Sequence, residues 1–267
     1  AYEFESDAHG RKHRVNVMFE RSRTGLHERK LDMATINAIT AKNKASQRIL
    51  VVGATGGTGR ATIEHLVRDG HRVTAFSRHA DSLAELSELV TAFNGDATNL
   101  NDVERAVEGH DAVIVTLGIA ENPIRVRLFG TARTPIDVRS VGTRNVIAAM
   151  KKHGVRRLVV QSSYGVGESR GKLRFVDSLF FSLLLKPQIA DTEVQELDVR
   201  ESGIDWVLAQ PVHLTDDEAD AMPFASDVGE VRDWKISRRG VARFLARAAQ
   251  TSEYTRKAVA LSGAGAA

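Results

Sequence analysis

A glycine-rich turn contains the residues whose types and spacing most clearly suggest chemistry. Glycines recur at every third position, Gly53, Gly56 and Gly59, between an apolar run ending at Val52 and a helical pattern beginning at Thr58. In a strand–turn–helix unit this spacing permits a tight turn, close approach of the backbone to a phosphate, and close helix–strand packing. The helix N-terminus adds unpaired N–H groups and a partial positive charge. The segment therefore predicts a dinucleotide-binding turn.

The same turn supplies most of the predicted phosphate contacts. We expect the cofactor to lie against Gly53, Thr55, Gly56, Gly57, Thr58 and Gly59, with the two threonine hydroxyls as further donors. A nucleotide-triphosphate P-loop is excluded because no Gly-Lys-Ser/Thr sequence closes the segment.

The end of the second predicted strand indicates which nicotinamide cofactor is preferred. NAD-specific units place Asp or Glu there to bind the ribose 2′-hydroxyl, whereas this chain has Ser77 and Arg78. A forked guanidinium suits a 2′-phosphate, and the serine can donate a further hydrogen bond. The alternative is an ordinary solvated arginine. The pattern favours NADP(H) as cofactor.

Two later turns are expected to complete the cofactor site. Asp96 and Ala97 follow the third predicted strand and are placed to reach the adenine, while Leu117 and Gly118 follow the fourth, on the nicotinamide side.

These turns lie within a regular alternation of strands and helices. Strands are predicted over Arg48–Val52, His71–Phe76, Val90–Phe93, Asp111–Leu117, Arg157–Gln161, Asp205–Ala209 and Ala258–Leu261. Helices are predicted over Thr58–Arg68, Ser82–Val90, Asp102–Val107, Pro135–Lys152, Thr192–Glu201 and Arg239–Ala249. The alternation predicts an α/β protein: a single Rossmann-type, doubly wound parallel sheet with helices on both faces, spanning residues 48–267.

Composition and charge exclude several classes of protein. The 267 residues contain 42% hydrophobic and 27% charged residues and no cysteine, which excludes wholesale disorder, disulfide scaffolds and cysteine nucleophiles. The net charge of +3 comes from residues 1–47, because the remainder is balanced. A neutral body lacks the basic surface of a nucleic-acid-binding protein. The longest apolar stretch, Phe175–Leu185, is too short to span a bilayer. We expect a cytoplasmic protein that is a monomer or small homo-oligomer.

Residues 1–47 form a predicted N-terminal extension. The segment is polar and basic, and only Arg14–Phe19 has strand or helix periodicity. It has neither the apolar core of a secretory signal nor the acid-poor composition of a presequence. Met33 is a plausible alternative start, so the upstream residues could be a leader. A mobile tail and an ordered arm that joins subunits both remain open.

Candidate catalytic residues follow the fifth and sixth predicted strands. Ser163 and Tyr164 lie where open α/β sheets bind ligands, and could orient the nicotinamide or donate to the substrate. Pro211, Val212 and His213 are expected to contact the cofactor, and the histidine could also supply a proton. The alternative for the serine is loop hydrogen bonding, and for the histidine a structural role. No metal site is expected; the acidic residues Asp191, Glu193, Glu196 and Asp198 are predicted to line a solvated helix face.

With these residues identified, the chain resembles the atypical short-chain dehydrogenase/reductase group with NmrA-like and NAD(P)H-binding members, and within it the flavin reductase/biliverdin-IXβ reductase family. The resemblance covers about residues 47–262. It rests on the segments Gly53–Gly59, Gly95-Asp96, Asp111–Gly118, Arg144–Lys151, Arg200–Gly203 and Pro211–His213.

The resemblance implies an NADPH-dependent reductase acting on a small planar acceptor such as a flavin, a quinone or a tetrapyrrole. It places the family's cofactor contacts on Gly53, Thr55, Gly56, Thr58, Arg78, Asp96, Leu117 and Gly118, a nicotinamide-side serine on Ser163, and a histidine on His213. Alternatives are a non-catalytic NADP-binding sensor of the NmrA type and a tailoring dehydrogenase or isomerase.

The chain departs from the family pattern at two points and from that of the larger superfamily at one. A second family arginine near the 2′-phosphate falls on Ser82, and the segment Glu121–Thr134 is longer than expected. The Tyr-x-x-x-Lys pair of the larger superfamily is missing, since Tyr164 is followed four residues later by Glu168. This disfavours alcohol dehydrogenase chemistry, in which the lysine lowers the pKa of the tyrosine.

Overall fold

In the computed structural model, the chain divides into two compact units, Ala1–Ala45 and Ser46–Ala267. The structure describes residues 2–6, 12–16, 19–22, 25–28, 46–119, 134–172 and 186–265. In the first unit, strands pair antiparallel as two hairpins: β1 (Tyr2–Ser6) with β2 (Lys12–Asn16), and β3 (Phe19–Ser22) with β4 (Gly25–Glu28). The sequence shows strand or helix periodicity in this segment only at Arg14–Phe19, so most of these strands were not predicted. The role of the segment and its boundary at residue 47 stay predictions.

The second unit is built on one large sheet. Its strands are β5 (Arg48–Val52), β6 (Arg72–Ser77), β7 (Val90–Asn94), β8 (Ala112–Val115), β9 (Arg157–Gln161), β10 (Asp205–Pro211), β12 (Phe224–Ser226) and β14 (Lys257–Ser262). Two short strands, β11 (His213–Thr215) and β13 (Lys235–Ser237), pair separately. The helices are α1 (Gly57–Arg68), α2 (Leu100–Val107), α3 (Val138–His153), α4 (Lys186–Glu201) and α5 (Arg238–Gln250), with 3₁₀ helices at Asp81–Leu86 and Gly167–Lys172.

The strand order explains where a ligand can bind. The sheet runs β12-β14-β10-β9-β8-β5-β6-β7, and every neighbouring pair is parallel except β12 with β14. The chain moves outward from β5 to β7, returns to β8, and then continues in the other direction. The loops after β5 and β8 therefore separate at their carboxyl ends and leave a crevice, the usual ligand position in such sheets. The predicted doubly wound Rossmann-type fold is confirmed.

Alternating strand residues divide the core between the two faces of the sheet. On one face, strand residues pack with α1 and α5, as in the cluster Ile49, Val51, Ile63, Leu66, Phe244 and Leu245. On the other, they pack with α2 and α3, as in the cluster Leu50, Val52, Val107, Val146, Met150 and Leu158. Because both faces are covered, β5 and β8 are buried throughout after Arg48, which is why they read as continuous apolar runs.

Three expectations about elements require correction. The helix predicted over Ser82–Val90 is a 3₁₀ helix, Asp81–Leu86. The helix predicted from Thr192 begins at Lys186, since Pro187 is tolerated in a first turn. The strands β11, β12 and β13 were not predicted, because three residues are too few to show alternation. The apolar run 175–185 and residues 121–133 lie outside the described residues. Within the described chain, no helix is long and apolar enough to cross a bilayer.

The N-terminus of α3 is capped by a side chain from α4. Asp191 is buried, and its carboxylate accepts hydrogen bonds from the backbone N–H groups of Arg139 and Ser140, each at 3.1 Å. The residue at the N-cap position, Asp137, makes no capping bond with its own side chain. The buried carboxylate therefore satisfies two N–H donors that have no partner within the helix, and its negative charge interacts favourably with the positive end of the helix dipole.

Asp191→Ala is expected to lower the free energy of unfolding by about 2 kcal/mol, because two buried N–H groups lose a charged acceptor. Urea denaturation measures the change. Asp198→Ala is the matched control on the same helix: its carboxylate pairs at the surface with Arg144 at 2.8 Å, and we expect a loss below about 0.5 kcal/mol. Equal losses in the two variants would contradict the capping role.

Two histidines, the buried His65 and the half-buried His110, are expected to make stability depend on pH. Burial lowers the pKa of His65, although Asp220, 2.9 Å from its ring, opposes the shift. Burial likewise lowers the pKa of His110, whose Nε2 lies 2.8 Å from the Thr74 hydroxyl. As the pH falls, the histidines of the unfolded chain are protonated before those of the folded chain. The free energy of unfolding therefore keeps its full contribution from these histidines above pH 6.5, the ordinary histidine pKa, and falls as the pH drops below it.

Urea denaturation at a series of pH values measures this dependence. His110→Gln keeps a side chain able to hydrogen-bond but cannot titrate, so its stability should fall less than that of the wild type below about pH 6.5. A stability that is constant or rises as the pH falls through this range would contradict the lowered pKa values of the two histidines.

Candidate functional site

A cleft of about 210 Å³ opens at the carboxyl ends of β5, β6, β7 and β8. Nine of the sixteen residues predicted to bind the cofactor line it: Gly53, Thr55, Gly56, Ser77, Arg78, Asp96, Ala97, Leu117 and Gly118. The remaining lining residues are Phe76, His79, Gly95, Thr116, Thr134, Pro135 and Val138. The structure thus brings together the turns that follow four different strands.

The glycine turn is packed so closely that side chains cannot be added at two positions. Gly53 has φ of +87°, and a Cβ there would lie 2.8 Å from the carbonyl oxygen of Thr116. A Cβ on Gly59 would lie 2.4 Å from the carbonyl oxygen of Gly53. The hydroxyl of Thr116 donates to the carbonyls of Val52 and Gly53, at 3.1 and 3.2 Å, and so joins the turn to β8.

The open N-terminus of α1 fits a bound phosphate. Gly56 is the N-cap residue, is exposed in the cleft, and no side chain caps the helix there. Helix N-termini of this kind bind anions through backbone N–H groups, and the absence of a Cβ on Gly56 leaves the approach clear. Gly57, Thr58 and Gly59 do not line the cleft: Thr58 and Gly59 are buried in the first turn, and Gly57 is exposed outside it. The predicted contacts of these three residues with the cofactor stay predictions.

The far end of the cleft holds Arg78. Its Nη2 donates to the hydroxyl of Thr134 at 3.1 Å, so the guanidinium is directed across the cleft. The Ser77 hydroxyl accepts a bond from the backbone N–H of His79 at 3.3 Å. The neighbouring turn requires glycine at position 95, because a Cβ would lie 2.6 Å from the Phe76 ring. This end of the cleft therefore combines a cation, hydroxyl groups and an aromatic wall.

Sequence reasoning missed the residues that enter the cleft from α3. Thr134, Pro135 and Val138 lie at or just before the helix N-terminus, more than fifteen residues after β8. The guanidinium of Arg139 lies against Gly118, with Nη2 3.2 Å from where a Cβ on that glycine would stand. The sequence predicts Pro135 only as the first residue of a helix, and no motif or spacing relates it to the ends of the strands.

The predicted catalytic residues lie further along the same edge of the sheet. Ser163 is half-buried after β9, and its hydroxyl donates to the carbonyl of Tyr164 at 3.3 Å. His213 is exposed after β10, and its backbone N–H donates to the carbonyl of Trp234 at 3.2 Å. Pro211, the last residue of β10, and Val212, which follows it, are buried. None of these four residues lines the cleft, so their contacts with cofactor or substrate remain predictions.

Tyr164 has a structural partner. Its side chain is buried, the ring packs edge-on against Trp234 at 5.8 Å, and the hydroxyl donates to the carbonyl of Gly229 at 3.1 Å. Burial raises the pKa of Tyr164, which opposes formation of a phenolate. Its predicted catalytic role stays a prediction, with the hydroxyl already committed to the backbone.

The acidic residues of α4 correct one expectation. Glu193 and Asp198 form surface ion pairs, with Arg170 and Arg144 respectively, each at 2.8 Å. Asp191 and Glu196, in contrast, are buried and accept hydrogen bonds from other elements. The prediction of a solvated helix face is therefore wrong for these two residues, because contacts that only the folded chain creates determine their burial.

Comparison with known proteins identifies the family. Residues 53–252 match a protein-family model described as NAD(P)H-binding. Over 60 residues the chain is 43% identical to serine 3-dehydrogenase of Rhizobium radiobacter; the match covers 22% of this chain and 24% of that enzyme. The chain thus spans about a quarter of the length of that relative.

Solved structures resemble the second unit. The anaerobilin reductase ChuY of Escherichia coli O157:H7 has a TM-score of 0.66 and 23% identity, covering 82% of this chain and 98% of that one. A short-chain dehydrogenase/reductase of Veillonella parvula in complex with NADP has a TM-score of 0.66 and 17% identity, covering 82% and 95%. At these identities the similarity establishes the fold.

Proposed function

The chain belongs to the NAD(P)H-binding family, and on this basis we propose that it is an NADPH-dependent reductase whose acceptor is a small planar molecule: a flavin, a quinone or a tetrapyrrole. The observation that carries the proposal is the cleft itself, in which a turn that excludes side chains at Gly53 and Gly59 faces a strand end that carries Arg78. This is the arrangement a dinucleotide with a 2′-phosphate requires.

Arg78 supports NADPH rather than NADH. Its side chain lies at the end of β6, where NAD-specific units carry a carboxylate, and its bond to Thr134 directs the guanidinium into the cleft. The glycine turn and the N-terminus of α1 would hold the pyrophosphate, while Gly118 and Ser163 would flank the nicotinamide.

When bound, NADPH supplies a hydride, which carries two electrons and one proton; the acceptor takes one further proton and NADP⁺ remains. His213 is exposed and is our candidate donor of the second proton. The Tyr164 hydroxyl is hydrogen-bonded to the carbonyl of Gly229, and the residue four positions later is Glu168 rather than lysine, which supports an acceptor that needs no tyrosine acid. The chain's main contribution is then to position two flat rings.

The committed hydroxyl of Tyr164 also favours a second candidate, a non-catalytic NADP-binding sensor. Anaerobic oxidation of NADPH with FMN, a quinone and biliverdin separates the two. The reductase proposal predicts turnover with at least one acceptor, whereas tight NADPH binding without turnover across the panel would favour the sensor. Cytoplasmic location and a monomeric or small homo-oligomeric state stay predictions.

A further inference from the structure

A buried carboxylate lies between the ends of two strands, and the proposed reaction does not use it. Glu196, on α4, is 2% exposed. Its Oε1 accepts hydrogen bonds from the Ser162 hydroxyl at 2.5 Å and from Nε2 of Gln210 at 2.7 Å. Ser162 and Gln210 are each 3% exposed, so water cannot readily replace either bond. One oxygen atom thus joins the carboxyl ends of β9 and β10.

The carboxylate is enclosed on its other side as well. Nη2 of Arg200 lies 3.4 Å from Oε2, and a Cβ on Gly167, which has φ of +57°, would lie 2.6 Å from the same oxygen. Glycine at position 167 therefore admits the carboxylate. Gln210 also donates to the carbonyl of Val166 at 3.2 Å, which joins the same segment to β10. A charged acceptor held this closely has little freedom to move.

The two partners of Glu196 directly precede residues predicted to act at the nicotinamide end of the site. Ser162 is followed by Ser163, and Gln210 is followed by Pro211, Val212 and His213. The turn after β9 is also hydrogen-bonded to β10, because the backbone N–H groups of Ser162 and Tyr164 donate to the carbonyls of Ala209 and Pro211, at 2.8 and 2.9 Å. A displacement of either strand end would therefore move Ser163 relative to His213.

We propose that Glu196 is a positioning residue for the acceptor end of the site, by which we mean the region around Ser163 and His213. By holding Ser162 and Gln210 on one oxygen, it sets where Ser163 and His213 stand relative to each other. Neither partner lines the cleft that holds the glycine turn and Arg78, so the effect falls on hydride transfer and acceptor binding more than on NADPH affinity, which we attribute to that cleft. The inference rests on the proposed function, because it assigns a use to the geometry of Ser163 and His213.

Two substitutions of Glu196 separate hydrogen bonding from charge. Glu196→Gln retains a carbonyl oxygen that can accept from both Ser162 and Gln210, and its amide nitrogen replaces the oxygen nearest Arg200. Glu196→Leu has similar bulk and accepts nothing. The matched control is Glu193→Gln on the same helix, whose carboxylate is 34% exposed and pairs with Arg170 at 2.8 Å.

Steady-state kinetics with the best acceptor, corrected for the folded fraction, tests the proposal. Glu196→Leu should lower kcat about 10- to 100-fold, because small misplacements of positioning groups are costly, while the Kd for NADPH changes less than about twofold. Glu196→Gln should restore kcat to within about threefold of the wild type, and Glu193→Gln should not alter it. An unchanged kcat in Glu196→Leu, or equal losses in the Leu and Gln variants, would overturn the proposal.

Hydrogen exchange separates failure of this inference from failure of the proposed function. If the wild type fails to oxidise NADPH with any of the acceptors tested, the reductase proposal fails. The exchange rates of the backbone amides of Ser162, Tyr164 and Val212 then test the positioning role by themselves. Glu196→Leu should speed their exchange at least about tenfold, whereas Glu196→Gln and Glu193→Gln should not. Equal exchange in wild type and Glu196→Leu would overturn the positioning role whatever the acceptor.

Discussion

Gly56→Trp is expected to raise the Kd for NADPH at least about 100-fold, a loss of about 2.7 kcal/mol of binding free energy, while the fold remains intact. Gly56 is exposed in the cleft at the N-cap of α1, with φ of −69° and ψ of 155°, values that any residue adopts. The nearest atom to an added Cβ would be the carbonyl oxygen of Gly53 at 3.3 Å, so the indole would extend into the cleft. It would displace the phosphates from the helix N-terminus.

Calorimetric titration with NADPH and circular dichroism provide the two readouts. Ala148→Trp places the same side chain at an exposed position of α3 outside the cleft, and should leave the Kd unchanged. Gly59→Ala provides a contrast, because its Cβ would lie 2.4 Å from the carbonyl oxygen of Gly53 and should destabilise the fold itself. Wild-type affinity in folded Gly56→Trp would show that the cofactor does not lie against this turn.

Arg78→Ala is expected to remove the preference for NADPH. The Kd for NADPH should rise about 10- to 100-fold, because a charge-assisted bond to the 2′-phosphate contributes about 1.5–3 kcal/mol. The Kd for NADH should change less than about twofold, since that cofactor has no 2′-phosphate. Arg78→Lys should give an intermediate ratio, because an ammonium keeps the charge but not the forked geometry.

Comparing NADPH and NADH affinities in one variant cancels any general loosening of the cleft. Arg105→Ala is the matched control: its guanidinium pairs with Asp102 at 2.8 Å on α2, outside the cleft, and is 67% exposed. Both affinities should stay at wild-type values in that protein. An unchanged NADPH/NADH ratio in Arg78→Ala would identify Arg78 as an ordinary surface arginine.

Much of the fold could be predicted because its signals are local. The strands Arg48–Val52 and Arg157–Gln161 were predicted with the bounds that the structure has, since an apolar run between turn residues is a local pattern. The long helix that ends before Gly154 was predicted almost to its last residue, because that glycine adopts φ of +71° at the C-cap. The glycine turn could also be predicted from a local pattern, because close backbone packing excludes every other residue at Gly53 and Gly59.

The cleft could be predicted on the side of the parallel strands but not on the side of α3. Turns after successive strands must meet at one edge of the sheet, so Arg78, Asp96 and Gly118 could be assigned to a single site. Thr134 and Val138 reach that site only because α3 packs across the sheet, and no periodicity in the sequence encodes that approach.

What the sequence determined by itself was the cofactor turn and the parallel sheet that carries it, because backbone sterics and apolar periodicity act within a few neighbouring residues. Only the tertiary structure decided which polar side chains are buried. Helix α4 exposes Val194 and Leu197 and buries Asp191 and Glu196, the reverse of what side-chain polarity predicts. The two carboxylates are buried because donors distant in sequence, at the start of α3 and at the ends of β9 and β10, converge on them once the chain has folded.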